Sequence, residues 1–109
     1  MKEEKNTHII VEMKEHLEHI LLDINKILED DSNKYIIDNI NEIKLNIVSL
    51  KEKIITKEDL LMLDLKALKK LSNMIYDLNY NNNFSTLTDH ISNELFAFEI
   101  LLQEELKKQ

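Results

Sequence analysis

A chain of 109 residues with no glycine and no proline has few ways to turn. Glycine normally supplies the left-handed residue that ends a helix, and proline the fixed φ that opens a turn. Without them, reversals fall to Asn, Asp, Ser and Thr, whose short polar side chains compete for nearby backbone groups. Such residues cluster at Asp30-Asp31-Ser32-Asn33, at Thr56, and in the run Tyr80-Asn81-Asn82-Asn83-Phe84. The rest of the chain is left for regular structure.

Between those breaks the apolar residues recur at helical spacing. Ile10, Met13, Leu17, Ile20, Ile24 and Ile27 step by three and four, and Leu21 and Leu28 widen the stripe. Ile36, Ile40, Ile43, Ile47, Leu50 and Ile54 form a second stripe, and Leu87, Ile91, Leu95, Phe98, Leu102 and Leu106 another. Isoleucine is only a fair helix former. No stretch alternates with period two, so the period decides for helix. Asn6 or Thr7 can cap the first segment, and Ser85 or Thr86 the last. Thr56-Lys57-Glu58-Asp59 reads as a capping box with Asp in place of Glu, and Ile55 and Leu60 stand where a hydrophobic staple would. These signals predict helices over about 7–29, 33–54, 57–79 and 86–107. With short connections they predict one all-α domain over 1–109, an antiparallel up-down four-helix bundle. The alternative merges the second and third helices into one bent rod.

Composition removes several kinds of chemistry. With no Cys there is no disulfide, thiolate metal site or thiol nucleophile. Without Gly, no phosphate-cradling loop, dinucleotide fingerprint or nucleophile elbow can be written. All 14 basic residues are Lys, against 21 acids, for a net charge of -7. The acidity is even: 8 Lys face 12 acids in residues 1–55, and 6 face 9 in 56–109. Nucleic acid calls for clustered positive charge, and base reading favours Arg, so no nucleic-acid partner is expected. No apolar run exceeds four residues, as in Leu60-Leu61-Met62-Leu63, far short of a membrane span, and the Lys- and Glu-rich start is unlike a signal peptide. A cytoplasmic protein without membrane contact is the expectation. The 15 Ile, 12 Asn and 14 Lys against 2 Ala point to A/T-rich coding DNA, from a low-G+C bacterium or a phage or plasmid within one.

Three features compete as functional signals. Glu12, Glu15, His16, Glu18 and His19 lie together, and His90 with Glu94 forms a second pair. His and carboxylate residues three or four apart can chelate a metal, which makes His16, His19 and Glu15 the candidate ligands. Yet His16 falls on the flank of its helix and His19 toward solvent. Antiparallel packing sets His90 near Asn25, on the order of 10 Å from His16. Solvated histidines, no bound metal and no cofactor are therefore expected. Asp64 is the second feature, a carboxylate in line with Leu60, Ala67, Leu68 and Leu71, where lone burial would be costly. It is expected near the bundle end, reaching water or a Lys such as Lys51 or Lys53, the alternative being a polar device that sets register or partner choice.

The third feature is apolar surplus. Phe96 and Ile100 stand on the polar face of their helix, among Asp89, Ser92, Asn93 and Gln103, and Met62, Leu65, Tyr76 and Tyr80 lie opposite Leu60, Leu71 and Leu78. A bundle helix needs one apolar stripe, and aromatics and Met on a second face are enriched at interfaces. The expected function is a small acidic, non-enzymatic binding module. It would dock on another protein with a basic surface, as a regulator, inhibitor, adaptor or immunity-type antagonist. The alternatives are a homodimer or larger assembly through the same faces, and a metal-binding bundle.

Overall fold

The structure is a computed structural model that describes residues 2–29, 37–80 and 85–108, with side chains for 8–29, 37–78 and 86–108. Its elements are α1 (Lys2–Glu29), α2 (Ile37–Lys53), α3 (Lys57–Leu61), α4 (Leu65–Tyr80) and α5 (Ser85–Lys107). They pack as an all-α helical bundle. The predicted turns at 30–33 and 81–84, and Ile36, lie outside the described residues.

The stripes explain the packing. Ile10, Met13, Leu17, Ile20, Ile24 and Ile27 of α1 are all buried, as are Ile40, Ile43 and Ile47 of α2 and Ile91, Leu95, Phe98 and Leu102 of α5. Leu68, Leu71, Ile75 and Leu78 complete the core from α4, and Leu60 is inserted from α3. Burying each such side chain contributes about 1.5–3 kcal/mol relative to exposure. The most extensive pairing joins α1 to α5; α2 leans on α1, α4 on α5, and the seam between α2 and α4 is thinner. At ~1.5 Å per residue, the 28 residues of α1 cover most of the 48 Å long axis.

Several boundaries differ from expectation. The first helix starts at Lys2, so Asn6 and Thr7 lie inside it rather than at its start. Glu is a good helix former, which favours the earlier start through Glu3 and Glu4. The predicted helix over 57–79 is two helices. At its start, Asp59 Oδ2 accepts from the Ile55 and Thr56 backbone N–H groups at 2.9 and 2.8 Å. Those bonds hold the Asp59 carboxyl below the usual range. The staple does not close, because Ile55 is exposed and Ile54 is the buried residue. The helix then stops: Met62 N–H bonds to the Asp59 carbonyl at 3.1 Å, a tightened last turn.

Asp64 restarts it. Its Oδ1 accepts from Lys66 N–H at 3.0 Å and Ala67 N–H at 3.2 Å, the second and third residues of α4. Asp64 is thus an exposed N-cap, not a carboxylate buried in a stripe. Among the described residues none has positive φ, so the 54–56 turn and the 62–64 break are made without a left-handed residue.

Asp23, Thr88 and Glu105 are the buried polar side chains among those described. Glu105 Oε1 accepts from Lys108 Nζ at 3.2 Å, and its Oε2 forms an ion pair with Lys57 Nζ at 3.1 Å, which ties α3 to the end of α5. Burial pushes its carboxyl up, but the two ammonium groups outweigh that and hold it below the usual range. No helix of the described residues is long and apolar enough to cross a membrane.

Candidate functional site

Two places on the bundle carry unassigned chemistry. The first is on the α1–α5 interface. Because these helices run antiparallel, His16 and Asp23 of α1 meet Glu94 and His90 of α5, in that order. Glu94 Oε2 accepts from His16 Nδ1, and Glu94 Oε1 lies 3.4 Å from His19 Nδ1. Two turns along α1, His90 Nδ1 lies 3.1 Å from Asp23 Oδ2. His16 and Glu94 are half-buried and His19 is exposed.

The expected position of His90 is close to the observed one, since Asp23 is two residues from Asn25. The solvated character of His16 is not found: Glu94, one turn beyond His90, reaches back to it. His90 and Glu94 therefore serve different partners instead of pairing with each other. Glu94 and not Glu15 stands between the two imidazoles, and Glu15 is exposed. The i, i+3 spacing of His16 and His19 marks two members of the cluster in the sequence. The third comes from a residue 75 positions beyond His19, which only the helix pairing discloses.

The second place is the outer surface of α4 and α5. Met62 is 84% exposed, Tyr76 66% and Phe96 63%, and Leu65 and Ile100 are exposed as well. The side chain of Tyr80 lies outside the described residues. Two of these residues line grooves, and Tyr76, Phe96 and Ile100 line neither. Leu65 lines an open groove of about 380 Å³ between α4 and α5, with Lys69, Asn73, Glu99, Gln103 and Leu106. Met62 lines another, of about 290 Å³, between α2 and α4, with Leu50, Lys53 and Leu71. Glu99 is half-buried in the first groove, and burial pushes its carboxyl above the usual range.

Asp23 and Glu105 were missed by the sequence reading, although the signal was present. Asp23 lies three residues after Ile20 and four before Ile27, and Glu105 three after Leu102, so both occupy stripe positions. Each is matched to a basic side chain on another helix. No protein-family model, curated protein or solved structure matches the chain.

Proposed function

We propose that this chain is a non-enzymatic binding module that docks on another protein through the α4–α5 surface. One observation carries the reading: Leu65, Tyr76, Phe96 and Ile100 are exposed on the two helices that wall one groove. The helices are read as an up-down bundle in which α3 and α4 share one leg. Tyr76 stands one turn beyond the groove residue Asn73 on α4, and Phe96 one turn before the groove residue Glu99 on α5. Exposed aromatics are the usual anchors of protein interfaces.

Charge selects the partner. The body carries a net -7, Asp89 stands two turns before Phe96 on the same face, and Glu99 sits desolvated in the groove. A partner ammonium or guanidinium seated there would offset the desolvation of Glu99, and long-range attraction would speed encounter with a basic surface. Such a module works as a regulator, inhibitor, adaptor or immunity-type antagonist by covering its partner's surface. Its setting in this reading is the cytoplasm of a low-G+C bacterium or a phage that infects one. Membranes and nucleic acid are not its targets.

The test is co-purification from the native host with wild-type chain and with Phe96→Asp, alongside light scattering of the free protein. Loss of an interface anchor costs about 2 kcal/mol or more, roughly 30-fold in affinity. The expected result is a monomer that captures a basic protein, with capture lost in Phe96→Asp. A wild-type dimer that Phe96→Asp converts to monomer would establish self-association instead. Capture unchanged by Phe96→Asp would remove this face from the mechanism.

A further inference from the structure

We propose that His16, His19 and Glu94 form a zinc-binding site that links α1 to α5, independent of the docking face. Among the described residues they are the one set of three His, Asp or Glu side chains whose ligand atoms all lie within 4.8 Å of one another. Two neutral imidazoles and one carboxylate are a ligand set that Zn²⁺ takes, with water in the fourth position. Tetrahedral ligands at ~2.0–2.1 Å from zinc stand about 3.3 Å apart. The 3.4 Å between His19 Nδ1 and Glu94 Oε1 already matches that edge. His16 needs only to open its hydrogen bond to Glu94 by a side-chain movement.

The surroundings agree with a three-coordinate protein site. His16 and Glu94 are held half-buried on two rigid helices, while His19 lies at the solvent edge, where a water ligand has access. No thiolate competes, because the chain has no Cys. To bind through Nδ1, each neutral ring must carry its one hydrogen on Nε2. Acid therefore competes with the metal. His90 and Asp23 show the contrast on the same interface: one imidazole and one carboxylate that, among the described residues, belong to no set of three.

The experiment titrates Zn²⁺ into metal-free, untagged full-length chain by calorimetry, and follows Co²⁺ substitution by visible absorption. The expected result is one Zn²⁺ per chain and a melting temperature that climbs with zinc concentration. His19→Gln and Glu94→Gln should each weaken binding about tenfold or more, while His90→Gln leaves it unchanged. His19 is exposed, so its variant tests the site without threatening the fold. Intense Co²⁺ bands of low coordination number are expected. Failure of Zn²⁺ to bind one-to-one, equal binding by Glu94→Gln and wild type, or a weak octahedral Co²⁺ spectrum would each overturn the proposal.

Discussion

Replacing Asp64 tests the least anticipated joint in the bundle. Its Oδ1 accepts two backbone N–H groups, from Lys66 and Ala67, that otherwise have no intrahelical partner. Both groups are near solvent, so in Asp64→Ala water replaces the carboxylate rather than leaving them bare. Loss of such a cap costs about 0.5–2 kcal/mol, and the negative charge beside the helix N-terminus accounts for roughly 0.3–1 kcal/mol within that range. A domain of this length loses about 4–6 °C in melting temperature per kcal/mol. Asp64→Ala should therefore lower the midpoint by about 2–12 °C. Asp64→Asn keeps an acceptor and should lose less than half as much. The decisive comparison is Asp64→Leu. If residue 64 belonged to the apolar stripe, leucine would stabilise the bundle by about 1.5–3 kcal/mol. As a cap position it should do no better than alanine. Thermal melts followed by far-ultraviolet circular dichroism distinguish the two, and a higher midpoint for Asp64→Leu would refute the cap.

Glu105→Gln should destabilise the chain by about 1–3 kcal/mol at neutral pH, less than a fully buried pair because Lys57 and Lys108 still reach solvent. The Glu105 carboxyl is held below its ordinary 4.5, so its contribution is present above that value and is lost as pH falls through the lowered one. Urea melts at pH 7 and pH 3 should show the gap between variant and wild type closing in acid; an unchanged gap contradicts the pairing. Glu99 has the opposite sign. Its carboxyl lies above the ordinary 4.5, so ionisation disfavours the folded state as pH rises, and Glu99→Gln should raise the melting temperature at pH 7 but hardly at pH 4. A destabilised Glu99→Gln at pH 7 would show that the carboxylate is already stabilised where it sits.

The helical stripes were legible because burial follows directly from period. Every stripe residue of α1 from Ile10 to Ile27 is inside the core. The break at 62–64 was not legible, because Leu60, Leu68 and Leu71 keep helical spacing across it. A wheel cannot distinguish Asp64 on a continuous helix from Asp64 at a restart, where one side chain meets two free N–H groups. The charged pairs were hidden for a different reason. Glu94 with His16, His90 with Asp23, and Glu105 with Lys57 are each set by which helix packs on which, and by their relative register. The exposure of Met62, Leu65, Tyr76, Phe96 and Ile100 follows from periodicity, since a residue opposite a buried stripe faces outward. That Met62 and Leu65 line different grooves does not, because it depends on which helices flank α4.

The pairing of α1 with α5 has a consequence for how the chain reaches its fold. The broadest contact joins segments some 70 residues apart, so most of the apolar face of α1 has no cover until α5 has been synthesised. A partly made chain would hold α1 and α2 as a loose hairpin with that face open to chaperones. Closing so long a loop delays folding relative to a bundle built from neighbouring helices. A stop codon just before α5 would then leave a molecule without a core, rather than a slightly shorter version of the same one.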